Sequence, residues 1–361
     1  MKNKHFILFI TLICAGLLAL MSSCEKEFNP RADYKDITIV YGMVNPVDDI
    51  HYIRIHKAFL GPENILDMAE NPDSSLYPVE DLDVRVFEIT PGGGSTKLNV
   101  DTMTITNKKE PGYFYYPNQI VYFFKKKFNL NTDLENTIKI EVENKKTGKI
   151  VYAETPLVNS FSVKSPMTGA RLNLDPKQVT SKFEWNNAKH GRMYDVYYTL
   201  RYQEGRNVDP TDEFKIDSVV WHVGTHYSTR TGDGTSQAES FQFNPAALYS
   251  EIERKVAYDT SLWRRPFEEV RLSIWCGSED LYYYHNINKP SGGIAQERPE
   301  FTNLKTKQYS EEYGTYQDIE NEAFGIFTSR LVQHVSIRIS DRMYMIYLPE
   351  TDRQFKSVFI N

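Results

Sequence analysis

The chain has 361 residues, a formal charge of −6, and a high aromatic content of 24 Tyr and 20 Phe. That acidic balance lacks the basic footprint that nucleic-acid binding requires. The length is ample for burying a hydrophobic core without disulfide staples, and only three cysteines are present, at positions 14, 24 and 276.

Lys2 and Lys4 precede an uncharged apolar run from Phe6 to Met21, the pattern of a secretory signal. The run is shorter than the roughly 18 to 20 residues of a comfortable membrane span. Ser22 and Ser23 then lead into Cys24, and Leu20–Cys24 (LMSSC) resembles the lipobox of bacterial lipoproteins, with Met21 where leucine is most frequent. The resemblance implies a signal peptide over residues 1–23, cleavage before Cys24, a diacylglycerol thioether on its sulfur, and acylation of the new amine. Each buried methylene contributes about 0.8 kcal/mol, so several chains anchor stably. The bland alternative is an ordinary signal with a cysteine near its cut, but no A-x-A-like site competes nearby. Residues 1–23 hold two lysines and no acids, so their removal takes the charge from −6 to −8. Cys14 leaves with the signal and Cys24 takes the lipid, so Cys276 is left without a disulfide partner. It ends the alternating run Val270–Cys276 and reads as a buried free thiol rather than a nucleophile.

Residues 24–36 read as a lipidated tether. The twelve after the cysteine have no hydrophobic period and span at most about 40 Å when fully extended. Period-two or β-branched runs predict strands over Ile37–Val44, His51–Phe59, Leu82–Ile89, Asn136–Asn144 and Lys149–Val158. Breakers at Pro91–Gly94 and Asn144–Gly148 separate strands, as in a β-sandwich. Gly61–Pro78 is too long for a tight turn and reads as a functional loop, a lid or a short helix. A boundary falls near Asn159–Pro166. The second unit opens with KFEW and MYDVYYTLRY, where Tyr194, Val196, Tyr198, Leu200 and Tyr202 share one strand face. FKIDSVVWHVGT is its predicted hairpin partner across the polar loop Gln203–Glu213. Asn244 and Pro245 signal a helix start, with Leu248, Tyr249, Ile252 and Val256 on one face. A second helix is predicted from Ser278 (SEDLYYYHNI), capped by Ser278, with Glu279 and Asp280 favourably near its N-terminus. VSIRIS and MYMIYL return to predicted strand. The fold class is mainly β, in two domains, the second with helical insertions.

Four segments carry a family resemblance: TGKIVYAETPLV, KFEWNNAKHGRMYDVYYTLRY, EDLYYYHNINKPSGGIAQERPEFTNL and NEAFGIFTSR. Together they resemble a Bacteroidota outer-membrane lipoprotein family, a domain of unknown function often encoded beside TonB-dependent receptors. The most specific parts are the helix near Ser278, the turn ending in Asn303, and the G-x-F at Gly325–Phe327. The resemblance implies an N-terminal Ig-like β-sandwich over 37–158 and a fibronectin-like β domain over 159–361. It implies no catalytic residues. Glu25 and Glu27 around Lys26 are a partial match to the acidic surface-export signal of that phylum, against the plain reading of a solvated tether.

Candidate chemistry is sparse. His51 and His56 have odd spacing in one predicted strand, which puts them on opposite faces. His222 and His226 lie four apart in a strand, about 13 Å, so no metal site is expected. PGGGST lacks the Gly-Lys-Ser/Thr of a phosphate loop and reads as a hairpin turn. The adjacent acids Asp48-Asp49, Glu268-Glu269 and Glu311-Glu312 diverge in strands, whereas a glycosidase needs two facing carboxylates. Tyr113–Tyr116 and Tyr282–His285 could stack on a ligand, but tyrosines also fill β-rich cores. Among them Tyr282, Tyr283 and Tyr284 are the chosen candidates for ligand or partner contact, because one helix face cannot bury three successive tyrosines. The expectation is a non-enzymatic protein with no cofactor and no catalytic residues. Its partners are the bilayer, through Cys24, and a TonB-dependent outer-membrane β-barrel. A stand-alone glycan- or peptide-binding adhesive protein is the alternative, and a hydrolase the third reading.

Overall fold

The computed structural model describes residues 37–58, 72–106, 118–206, 214–229, 237–287, 301–320 and 322–356. Cys24, Glu25, Lys26, Glu27, Tyr113–Tyr116 and most of the Gly61–Pro78 loop lie outside these residues. Of that loop, Pro72–Ser75 forms a single helical turn, α1.

Alternation decides the layout of the first unit. In β1 (Ile37–Val44) Val40, Gly42 and Val44 are buried while Tyr41 is exposed. In β2 (Ile50–Ala58) His51, Ile53 and Ile55 are buried while Ile50, Tyr52 and Arg54 face solvent. The following strands are β3 (Leu82–Ile89), β4 (Ser95–Leu98), β5 (Val100–Thr106), β6 (Asn118–Lys125), β7 (Thr137–Asn144) and β8 (Ile150–Pro156). They form two layers, β1-β2-β6-β5 against β8-β7-β3-β4. The layers close over Val40, Ile53, Val86, Phe124, Ile138 and Ile140. The Gly-rich stretch makes the β3–β4 hairpin turn, where the Thr90 N–H donates to the Gly94 carbonyl at 2.8 Å.

The second unit comprises β9 (Val163–Ser165), β10 (Arg171–Leu172), β11 (Ser181–Asn186), β12 (Gly191–Gly205), β13 (Lys215–Tyr227), β14 (Ala238–Phe243), helix α2 (Ala246–Lys255), β15 (Trp263–Pro266) and β16 (Glu269–Ser278). β12 and β13 are the predicted antiparallel hairpin, and Tyr194, Val196, Tyr198, Leu200 and Tyr202 are all buried. The small sheet β14-β11-β9 and α2 cover this face. Asn244 Oδ1 accepts from the Ala246 N–H at 3.0 Å at the start of α2, whose Leu248, Tyr249 and Ile252 enter the core with Trp185 and Ile274.

After helix α3 (Glu279–Ile287) the chain returns to the first unit. β17 (Lys305–Ser310) pairs with β8, and β18 (Thr315–Ile319) pairs with β17. β19 (Ala323–Ile339) is 17 residues long. Its first half runs parallel to β1, from Thr38↔Ala323 to Val44↔Ser329. Its second half runs antiparallel to β16, from Gly277↔Arg330 to Glu269↔Arg338. β17 and the first half of β19, which chain order groups with 159–361, therefore pair with strands of residues 37–158.

One strand thus fuses two sheets into a ten-stranded sheet, in the order β13-β12-β16-β19-β1-β2-β6-β5 with β10 and β15 at its side. Along β19, Ala323 and Phe327 enter the first core while Leu331, Val335 and Ile337 enter the second. All are odd-numbered. Side chains alternate strictly along a strand, so both cores lie on the same side of the shared sheet.

MYMIYL departs from its predicted strand. Met343–Tyr347 is a wide helical turn, entered where the Met343 N–H donates to Ser340 Oγ at 3.3 Å. Met343 and Tyr347, four apart, are both buried. The capping serine and that helical spacing outweigh the β-propensity of Tyr and Ile.

Candidate binding interface

The two sandwiches meet at the changeover of β19, and the local chemistry there is specific. Gly325 has φ 97°, and a Cβ on it would sit 2.1 Å from the Val40 carbonyl oxygen. Only glycine fits such a close left-handed approach. Gly42 makes room for the fully buried Phe327 ring, since a Cβ there would lie 2.6 Å from it. Asn303 then closes the free side of β19. Its Nδ2 donates to the Phe327 carbonyl at 2.7 Å, and the Phe327 N–H donates to Oδ1 at 3.1 Å. A side-chain amide thus replaces a strand partner.

The same Nδ2 donates to Asp280 Oδ2 at 2.8 Å, on the first turn of α3. Burial pushes the Asp280 carboxyl above the usual carboxylate range, against the opposing bond from Asn303. Ser278 caps α3, accepting from the Leu281 N–H at 3.3 Å, and its Oγ lies 2.5 Å from the Thr328 hydroxyl. The helix start, the turn ending in Asn303 and the G-x-F triplet, far apart in sequence, therefore form one structural knot.

From that knot α3 presents its tyrosines about 100° apart. Tyr282 packs edge-on against Tyr227 at 5.3 Å, under the Arg192 guanidinium at 5.2 Å. Tyr283 is exposed, with Phe301 at 5.7 Å and its hydroxyl donating to Glu279 at 3.3 Å. Tyr284 lines an apolar cleft of about 360 Å³ with Ile39, Tyr41, Phe301 and Phe324. The three candidates thus serve three different surroundings.

A larger cleft of about 490 Å³ opens between the loops of the two sandwiches, lined by Leu130, Glu135, Asn159, Phe161, Asn186 and Lys189 among others. Lys189 Nζ donates to Glu135 at 2.5 Å and Asn159 Nδ2 at 2.9 Å. Those two hydrogen bonds, Lys189 first, hold the Glu135 carboxyl below its usual range. Asn186 Nδ2 donates to Ser162 Oγ at 2.9 Å. Its polar lining is mostly amide and hydroxyl beside Leu130, Leu134 and Phe161, with its one acid already paired. Sequence reasoning missed it. The usable signal was the asparagine density of Asn129–Asn136 and Asn186-Asn187.

The other candidates are dispersed. His51 is buried, with Nε2 3.0 Å from the Lys126 carbonyl and its ring stacked on Phe124, and burial lowers its pKa. His56 lies on the opposite face, and burial followed by the Arg54 charge lowers its pKa to about 4. His222 stacks on Tyr197 at 4.8 Å, whereas His226 lies 2.8 Å from Glu239 and beside Trp185. A register shift in β12–β13 beside Gly224 separates the two. Glu268 takes Arg171, and Glu269 accepts from Ser336. Among the described residues no three His, Cys, Asp or Glu side chains come together to hold a metal. Cys276 is fully buried and burial pushes its thiol up, so it is no nucleophile.

These features define a mainly β, sandwich-type protein with two cores under one shared sheet and clefts at their junction. No family model matches the chain, and no curated protein matches it. Among solved structures, a DUF4785 family protein from Legionella pneumophila aligns over 64% of this chain and 49% of its own, at 13% identity and a TM-score of 0.16. A likeness of that size carries nothing across to this chain.

Proposed function

We propose that the chain is an outer-membrane lipoprotein anchored through acylated Cys24, acting by binding rather than catalysis as an accessory subunit of a TonB-dependent transporter. The observation that carries this reading is Leu20–Cys24, a lipobox-like stretch after an apolar run too short to span, followed by a polar tether. The resemblance to the Bacteroidota lipoprotein family supplies the transporter, and the Glu25-Lys26-Glu27 stretch supports exposure at the cell surface. The shared sheet suits such a role, because it joins both sandwiches into one body with clefts and tyrosines at a fixed junction. A native pull-down from detergent-solubilised outer membrane tests it. Recovery of a β-barrel partner is expected, and recovery of none counts against it.

The cleft lined by Asn159, Asn186 and the Glu135–Lys189 pair favours a second reading, a surface protein that binds glycan or peptide on its own. Arraying the chain from Glu25 onward on glycans and matrix proteins separates the two. Binding there, lost on Asn186→Ala, would support the second.

A further inference from the structure

The ten-stranded sheet has one face turned into both cores and one turned away from both. Strand registers place neighbours across the outer face. Ile39 is opposite Phe324 and His56; Tyr41 is opposite Ile326 and Arg54. Farther along, Tyr52 is opposite Phe123, and β6 sets Val121 against Met103 and Gln119 against Ile105. Several of these are large apolar groups left in solvent: Tyr41 is 42% exposed, Tyr52 48%, Met103 40% and Ile105 43%.

The other half of the same face is an internal control. On β12, β13, β16 and β19 the outward positions include Asp195, Thr199, His222, Arg271, Ser273 and His334, with Val220 and Ile216 on β13 as exposed apolar exceptions. Its rings are also covered. Trp275 lies under the Arg330 guanidinium at 4.4 Å, and Tyr197 stacks on His222. One sheet face therefore carries two chemistries. The exposed apolar groups are densest on β1, β2, β6 and β5, and a contiguous patch of that kind marks a contact surface.

Two observations choose its occupant. First, β1 is itself part of the patch and begins at Ile37, with twelve residues between it and the cysteine read as the lipid anchor. Twelve residues reach at most about 40 Å, so the anchor keeps the start of β1 within that distance of the leaflet that takes its acyl chains. Contact becomes intramolecular, and a weak interfacial affinity suffices. Second, cations stand among the rings. Arg54 lies beside Tyr41, and the Lys125 ammonium lies 5.9 Å from the Phe123 ring centre. Of the acids, Asp48 and Asp49 lie in the β1–β2 turn, and Asp101 stands opposite Phe123 on the edge strand. Tyrosine rings interleaved with Arg and Lys match the ester and phosphate layer of a bilayer.

We infer that the outer face of β1-β2-β6-β5 rests on the lipid headgroups of the membrane to which the chain is tethered. The inference rests on the lipid-anchor reading above.

The test uses the unlipidated chain from residue 25 onward, which contains every described residue, sedimented with vesicles of phosphatidylethanolamine and phosphatidylglycerol. The parent chain is expected to partition weakly onto them. Tyr41→Ser/Tyr52→Ser/Met103→Ser lowers the partition coefficient about tenfold, because affinity follows apolar area. Arg54→Glu lowers it in a salt-dependent way. His222→Ala, on the polar half, leaves it unchanged. Thermal unfolding verifies each fold, and Ile105→Ser serves if the triple variant misfolds. No vesicle binding by the parent, or equal binding by all variants, overturns the inference. So does light scattering that finds a dimer split by the triple variant, which would put a second copy on this face. The mass of the mature N-terminus reports the anchor independently, so an unmodified Cys24 removes the tether without touching the vesicle result.

Discussion

At the scale of single residues, the junction depends on groups that no near-isostere replaces. Gly325 combines a left-handed φ with a backbone oxygen where its Cβ would go. Gly325→Ala is expected to destabilise the fold by about 2 to 4 kcal/mol, read as a lower midpoint in urea. Asn303 answers both backbone groups of Phe327. Asn303→Ala leaves them without those partners and is expected to cost about 2 to 3 kcal/mol by the same measurement. His56 predicts a pH dependence. Its pKa is 6.5 when unperturbed and about 4 in the fold. Between those values the unfolded chain binds a proton that the folded chain refuses, so stability falls as pH drops from 6.5 to 4. The contribution is fully present above 6.5 and already lost below 4. His51, lowered by burial, acts in the same direction. His56→Gln should flatten the slope of unfolding free energy over that window, and an unchanged slope would put the titration elsewhere.

At the scale of elements, local signals were legible where one face of one element decided the outcome. The β12–β13 hairpin, the Asn244 helix start and the Ser278 cap all follow from spacing and capping chemistry that a single segment contains. Elements without such a pattern were not legible. β5 is exposed at nearly every position, so no apolar alternation betrays it. The site was legible in its parts only. The helix, Asn303 and Gly325–Phe327 could each be singled out, but their meeting depends on a chain reversal of 20 to 50 residues that periodicity does not encode. Nor does periodicity show that β19 changes partners at Ser329–Arg330, because its alternation is unbroken there. The Ser278 cap carries its own prediction. Ser278→Ala removes the bond to the Leu281 N–H and the contact with Thr328, costing about 1 kcal/mol. Hydrogen exchange should quicken at Leu281–Tyr284 and stay unchanged in α2; equal change in both helices would argue against a local cap.

At the scale of the whole molecule, the shared β19 is expected to make the two sandwiches unfold as one. Phe327 sits in the first core, two residues before the strand leaves β1 for β16. Phe327→Ala is expected to cost about 3 to 5 kcal/mol, with a single calorimetric transition moving down as a whole. Two separated transitions would mean that the sandwiches unfold independently. The same architecture gives the molecule an inside and an outside, with both cores beneath the sheet and the Tyr41–Tyr52 half above it. In the proposed reading, how that body is placed in the cell depends on Cys24. The most direct measurement is therefore the intact mass of the N-terminal peptide from membrane-extracted protein. The expected product is a chain beginning at Cys24 and carrying a diacylglycerol thioether with an acylated amine. A chain cut elsewhere, or an unmodified Cys24, would contradict that reading.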